Sequence, residues 1–464
     1  MAMSPSPTAT ATTAANAMQD SLPIEGCDVF VIGGGPAGST IAALLAQQGR
    51  DVVLVEKEHH PRFHIGESLL PANVQLFEKL GVHDQVDKIG MKKWGIEFVS
   101  IEHEHRSYVE FADAWDKSMP SSWQVRRSEL DELLFRNAAT RGARTLEGCK
   151  VRDVQFDDDG ATIQAVLDDG TRRTWHARFV VDASGRDTVL ANKFRSKEKN
   201  PDHNSTALFG HFRNVRRLEG KREGNISICW FPHGWFWFIP LADGTTSVGA
   251  VCWPYYLKSR DSSKPLKEFF YETLAMCPEL ADRVKNGELI DDAVHATGNF
   301  SYNGSHATGD RYLMLGDAFA FIDPMFSSGV YLAMHSAFDG AELVATALDR
   351  PASHAKARRE FEETMRKGPR EYAWFIYRAT NPTIRDMFMH PRNPLRVKEA
   401  LLSLLAGDIY GSTPMWWGLR RFKALYYLIS WFNARRTWRG WRKHRFNIQD
   451  MGKLQGETIQ TEGG

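Results

Sequence analysis

The sequence predicts an α/β fold: a parallel sheet, an inserted and mostly antiparallel second sheet, and a helical C-terminal segment. Three stretches of the 464 residues carry that prediction. The first is Cys27–Gly38, CDVFVIGGGPAG, where the apolar run Val29–Ile32 breaks into Gly33-x-Gly35-x-x-Gly38. The second is the alternating aromatic run from Trp235 to Pro240, and the third is the basic, aromatic run from Trp416 to Phe446.

In the first stretch the short apolar run reads as a buried parallel strand. Gly33 permits a tight turn, Gly35 lets backbone approach a pyrophosphate, and Gly38 allows the next helix, expected from Ser39 to Gln48, to pack on the strand. Pro36 and Ala37 complete the turn, and the helix N-terminus presents about +0.5 charge to the anion. A second strand, Asp51 to Val55, ends in Glu56, placed to accept from a ribose hydroxyl. Strand, glycines, helix, strand and acid in one block form a Rossmann-type dinucleotide motif.

Composition narrows the partners. Lys and Arg total 58 against 57 Asp and Glu, a net charge of +1, so no nucleic-acid partner is expected and any electrostatic partner must meet a local patch. Cys27, Cys149, Cys229, Cys252 and Cys277 form no C-x-x-C pair, which argues against zinc or a disulfide scaffold and suits a reducing cytoplasm. Residues 1–22, rich in Ala, Thr, Ser and Pro, read as a disordered leader without a signal-peptide pattern. No apolar run reaches the ~18 residues of a spanning helix. The expected organisation is that leader, a main domain over 23–395 with second-sheet insertions at about 95–125 and 205–300, and a helical segment over 396–464.

The loop Pro61–Pro71, PRFHIGESLLP, follows the second strand and carries Arg62, His64, Glu67 and Ser68. Glu67-Ser68 suits the start of a helix expected at Ala72–Leu80, and the loop is also placed to cover the far end of a dinucleotide. Adjacent Lys92 and Lys93 read as a solvated turn. Arg126 and Arg127 precede a helix with Leu130, Leu133 and Leu134 on one face, and either arginine could meet a phosphate. A strand ending at Asp182 and another ending at Gly316-Asp317 give further edge contacts, the latter suited to ribityl hydroxyls. In the loop 321–329, Ser327 or Ser328 is the expected N-cap of a helix over 330–348, whose free N–H groups form an anion site. Contacts dispersed from Gly33 to Asp317 favour FAD over a nicotinamide cofactor.

Residues 205–300 alternate as strands, with a helical insertion at 264–286. Period two puts Trp235, Trp237 and Ile239 on one side and Phe236 and Phe238 on the other, which makes a rigid wall. The terminal run sets nine Lys and Arg among ten aromatics between Trp416 and Phe446. It reads either as a helix packing its aromatics on the body with basic groups outward, or as a docking surface for an acidic carrier protein or a membrane.

The glycine motif together with Trp235-x-Trp237-x-Ile239-Pro240 resembles the signature of the flavin-dependent halogenases, relatives of the aromatic flavin hydroxylases. IGESLLP at 65–71, Gly316-Asp317 and DPxxSSGVxLA at 323–333 are similar to that family too, and the likeness spans about 25–395. The resemblance implies FAD supplied as FADH2 by a separate flavin reductase, O2 captured as a flavin C4a-hydroperoxide, and chloride or bromide oxidised to hypohalous acid. It implies a tunnel wall of Trp235, Trp237, Ile239 and Pro240, a catalytic Lys93 with Lys92 as its rival, and halide on the N–H groups of Ser328 and Gly329. FAD would be held by Gly33, Gly35, Pro36, Ala37, Gly38, Glu56, Lys57, Arg62, Ser68, Arg127, Asp182, Gly316, Asp317 and Gly329. Phe326 stands where the free-tryptophan branch has a glutamate, so the expected substrate is a phenol, pyrrole or polyketide-like arene, free or carrier-bound. The other readings are an FAD-dependent aromatic monooxygenase or prenyl-type reductase acting directly at the flavin, and a non-catalytic flavoprotein using its basic tail for interaction.

Overall fold

The computed structural model describes residues 24–298, 301–411 and 413–449, so the leader expected over 1–22 lies outside the described residues. β1 (Glu25–Ile32) enters a helix at Pro36–Gln47 and then β2 (Val52–Val55). The helix begins three residues before the expected Ser39 because Pro36, with its preset φ, is accommodated in the first turn. β3 (Met91–Lys93), β4 (Gly95–Ser100), β5 (Ser107–Glu110) and β6 (Ser122–Gln124) leave this unit. The helix Arg127–Thr140 returns to it, followed by β7 (Arg144–Leu146), β8 (Cys149–Phe156), β9 (Ala161–Leu167) and β10 (Arg172–Asp182).

The first sheet has the order β7-β2-β1-β10-β9-β8, and the strand Tyr312–Met314 adds to β10. Val29–Ile32 and Val52–Val55 are buried throughout, as strands covered on both faces must be. Ile32 aligns with Val55 and Asp182, and Asp182 with Met314, so four parallel strands end at one edge. A Cβ on Gly33, which has φ +102°, would lie 2.4 Å from the Ala183 carbonyl oxygen, and one on Gly38 would lie 1.9 Å from that of Gly33. Only glycine permits this approach of turn, helix and sheet.

β11 (Lys197–Lys199) belongs to a small separate sheet. β12 (Thr206–Arg213), β13 (Ile226–Phe231), β14 (Gly234–Pro240) and β15 (Thr246–Cys252) form the second large sheet in the order β12-β15-β14-β13-β4-β5. β4 pairs in parallel with β13, which joins the early strands to the later ones. Alternation splits this sheet between two cores. Trp235, Trp237 and Ile239 join the main core, while Phe236 and Phe238 face a second core closed by Phe269, Phe270 and Leu274. The last three sit on the helix Leu266–Ala275 within the expected insertion.

After the helices Gly329–Asp349 and Pro351–Ile376 come Pro382–Met389 and Val397–Ala406. The last is core rather than appendage, with Leu401, Leu402, Leu404 and Leu405 all buried. The terminal helices Met415–Phe432 and Ala434–Gln449 depart from the simple inward-aromatic expectation. Phe422 and Tyr426 are buried, but Trp417, Trp431, Phe432, Trp438 and Trp441 are exposed. Among the described residues, no helix is long and apolar enough to cross a membrane.

Gly249 stands directly across from Trp237, where a Cβ would come within 2.2 Å of the indole. Gly249→Ala is therefore expected to lower stability by about 1–3 kcal/mol through overpacking. Urea unfolding followed by tryptophan fluorescence checks this, and an unchanged midpoint would count against the packing.

Candidate active site

A cavity of about 600 Å³ opens at the shared carboxyl edge of β1, β2 and β10 and continues between the two sheets. At its first end Gly33, Gly35, Pro36 and Ala37 line the wall, while Gly38 packs beneath them. A Cβ on Gly35 would meet only Arg62 Nη2, at 3.7 Å, so this glycine leaves the anion side open. Glu56 also lines the cavity; its Oε2 accepts from Gly34 N at 2.8 Å and from Arg62 Nη2 at 3.3 Å, and its Oε1 from Glu58 N at 3.1 Å. Lys57 sits on the rim in a 2.8 Å ion pair with Asp187.

One residue that sequence reasoning missed organises the next section. Asp131 is fully buried and takes Arg127 through two hydrogen bonds, of 2.8 and 3.0 Å, and Arg62 through a third of 3.3 Å. Burial pushes the Asp131 carboxyl up, but Arg127 and Arg62 override it and hold it below the usual carboxylate range. Burial together with Arg127 drops His64 to about 4, so its ring is neutral. The only sequence signal for this knot was the i,i+4 spacing of Arg127 and Asp131 on one helix face.

Gly316 and Asp317 line the middle of the cavity. Burial lifts Asp317 to about 6, and among the described residues no protein donor reaches its carboxylate. Asp182 corrects an expectation: it does not line the cavity, because its two oxygens turn back to accept from Ser184 N at 3.0 Å and Leu190 N at 2.6 Å. Its neighbours Ala183 and Ser184 take the edge position, and Arg186 lines the wall while donating to the Thr297 hydroxyl at 2.7 Å.

The helix Gly329–Asp349 points its N-terminus at the other end. Ser328 occupies the N-cap position but makes no capping bond, and Ser327 is in the left-handed region at φ 56°, so neither hydroxyl caps the helix as expected. Asp323 caps the preceding short turn instead, accepting from Met325 N at 3.0 Å, and also holds His203 at 2.7 Å and Ser205 at 3.0 Å. The first-turn N–H groups at Gly329 have no acceptor within their own helix. A Cβ on Gly329 would meet nothing within 4 Å, and both Ser328 and Gly329 line the cavity. A glycine-lined helix start at each end, a lone carboxylate between them and a ring of arginines suit the FAD implied by the sequence.

Trp235, Trp237 and Ile239 form one side of the cavity, with Trp237 Nε1 donating to Ser247 Oγ at 3.1 Å. Pro240, expected in this wall, ends β14 without reaching it. Lys93 is only 1% exposed. The expectation of a solvated pair of lysines fails for it, because β3 pairs with β6 while Ser68 bridges to Gln124, folding the Pro61–Pro71 loop over Lys93. Its Nζ donates to Ser68 Oγ at 2.9 Å and Leu69 O at 3.1 Å, and lies 5.3 Å from the centre of the Phe111 ring. Burial alone lowers this amine to about 7, with no carboxylate in ion-pair reach among the described residues. Ser68 lines the cavity, so the amine is one side chain removed from it. Lys92 instead lies 3.4 Å from surface Asp87 and over the Trp123 ring at 4.5 Å. Glu67 and Ser68 do not cap the helix Ala72–Leu80, whose N-cap is Pro71; Glu67 accepts from His211 at 2.7 Å, a pairing across the two sheets that sequence spacing could not reveal.

Asp131→Asn leaves Arg127 and Arg62 without their common anion. An unfolding free energy lower by about 3–5 kcal/mol is the expected result, measured by chemical denaturation. An unchanged midpoint would remove Asp131 from this role.

A family model described as an FAD-binding domain matches residues 26–359. A tryptophan 2-halogenase of Chondromyces crocatus is 34% identical over 68% of this chain and 60% of its own length. A chlorinase of Pseudomonas fluorescens that acts on 1H-pyrrole-2-carbonyl on a peptidyl-carrier protein is 30% identical over 82% of this chain and 89% of its own. Among solved structures, a flavoprotein/dehydrogenase of Cytophaga hutchinsonii has a TM-score of 0.76 at 30% identity, covering 83% of this chain and 94% of that one. The myxobacterial chondrochloren halogenase CndH has a TM-score of 0.73 at 31% identity, covering 84% and 92%. The chain thus spans about 60% of the length of the tryptophan 2-halogenase but most of the carrier-linked chlorinase and of CndH. With the glycine turn and the indole wall set around one cavity, these matches over most of its length mean that the chain belongs to the flavin-dependent halogenase family.

Proposed function

We propose that this chain installs chlorine or bromine on an electron-rich arene, with Lys93 delivering the halogen. The observation that carries the proposal is the Lys93 amine, buried without a counter-charge among the described residues and hydrogen-bonded to cavity-lining Ser68. FAD, reduced by a separate flavin reductase and bound in the cavity, would supply oxidation of halide with O2. The Gly33–Gly38 turn, Glu56, Arg62, Arg127, Gly316 and Asp317 would hold it. The Ser328 and Gly329 N–H groups would seat the halide against the positive end of a helix of 21 residues.

A Lys93 amine titrating at about 7 populates both its forms near neutral pH. The neutral amine donates its two N–H groups to Ser68 and Leu69 and keeps a lone pair for an N–halogen bond. The ammonium has a third N–H with which to polarise hypohalous acid. Trp235 and Trp237 favour this divided chemistry over a monooxygenase acting directly at the flavin, because two bulky indoles line the cavity that would hold the flavin. Phe98, Trp230, Phe326 and Phe388 pack together at centroid separations of 5.0 to 6.5 Å without an ionisable group and with no space left between them, so they would have to part to admit a neutral arene such as a phenol or a carrier-linked pyrrole. Indoles belong to the same electron-rich class, so the tryptophan 2-halogenase likeness keeps tryptophan on the substrate panel.

The test is Lys93→Ala and Lys92→Ala assayed with a flavin reductase, FAD, O2, bromide and an activated phenol. The proposal predicts that Lys93→Ala retains FAD but loses haloarene by about 10²-fold or more, on the scale of losing a positioned proton donor, while Lys92→Ala stays near wild type. Unchanged product from Lys93→Ala would overturn it.

A further inference from the structure

The terminal helix pair has a second apolar face. The inward side of Met415–Phe432 carries Met415, Leu419, Phe422 and Tyr426, with Phe422 5.5 Å from Phe375 and Tyr426 5.3 Å from Trp374, centroid to centroid. Its outward side should then be polar. Instead it carries Trp417, Leu428, Trp431 and Phe432, exposed by 63%, 51%, 72% and 72%. The next helix packs inward through Thr437, Gly440 and His444, against Thr383, Pro382 and Trp253. That leaves Arg435, Arg439 and Arg442 outward beside the exposed Trp438.

Charge is segregated here as sharply as apolar surface. Residues 415–449 contain nine Lys and Arg and no Asp or Glu, whereas the whole chain carries only +1, so the rest of the molecule is net acidic. Lys423 is paired with Glu371 and Arg436 with Asp386. Arg420, Arg442 and Arg445 lie over the rings of Trp417, Trp438 and Trp441, at 5.0, 4.7 and 4.8 Å. Each such pair joins an interfacial indole to a guanidinium that can reach a lipid phosphate.

We propose that this face is a peripheral docking surface for an anionic phospholipid bilayer. A nucleic-acid backbone would use the arginines but leave Leu428 and Phe432 wet, and so would an acidic carrier met through charge alone. A bilayer interface takes both, with aromatic and aliphatic side chains at the headgroup boundary and guanidinium groups on the phosphates. Neither helix is apolar enough to span, so the pair would lie on the surface.

The test is co-sedimentation of the full-length, FAD-loaded protein with vesicles of phosphatidylcholine alone or mixed with phosphatidylglycerol, at low and high salt. Partition about tenfold or more stronger on the anionic vesicles, and weakened by salt, is the expected result. Trp431→Ser/Phe432→Ser and, separately, Arg435→Glu/Arg439→Glu should each lose that partition while retaining FAD. Equal partition on both vesicle types, no partition, or no effect of either double variant would overturn the proposal. So would binding confined to duplex DNA or to an acidic carrier protein in parallel assays.

Discussion

Burying the Lys93 amine with no carboxylate beside it among the described residues is the constraint around which the two halves of the molecule meet. A charged ammonium in such a place is expensive, and its desolvation is answered by a lowered pKa and by two hydrogen bonds that the amine donates, to Ser68 Oγ and Leu69 O, rather than by a counter-ion. The site exists only because three elements converge. β3 pairs with β6, the loop after β2 folds back so that Ser68 meets Gln124, and Phe111 closes the remaining side. Each belongs to the seam between the nucleotide-binding sheet and the inserted sheet, so the amine reports on how the sheets are joined.

The same seam needs rigidity on its cavity side. The indole wall is fixed by strand alternation, by the Trp237–Ser247 hydrogen bond and by the space that Gly249 leaves. Opposite it, Asp131 locks Arg127 and Arg62 into one arrangement, and Glu67 ties the Pro61–Pro71 loop to His211 on the second sheet. These groups act by holding others in place, which is how the cavity keeps its shape between two independently cored sheets.

How much of this was legible in the sequence follows from the range of each interaction. The Gly33–Glu56 block and the Trp235–Ile239 alternation are local patterns, since each spacing is set by one strand or one turn. Asp182 shows the opposite failure: an acid at a strand end looks the same whether it faces a ligand or turns back onto Ser184 and Leu190. The Glu67–His211 and Asp323–His203 pairs were unreadable because their partners meet only in the folded chain, across 144 and 120 residues, and Asp131 was half readable, with Arg127 four residues away on its own helix but Arg62 arriving across 69 residues. The two adjacent lysines differ for the same reason: strand alternation puts Lys93 inside and leaves Lys92 beside Asp87. Aromatic content in the terminal helices was plain, but the side each ring would face depended on packing by Val397–Ala406 and Pro382–Met389.

The central claim is that the Lys93 amine is held out of water behind cavity-lining Ser68. The most direct measurement is an NMR titration of lysines labelled with 13C at Cε, with the Lys93 resonance assigned by its absence in Lys93→Met. The account predicts one lysine with a midpoint at about 7, uncharged above it and charged below. A Lys93 resonance that titrates with the others, at the ordinary value of ~10.4, would contradict it.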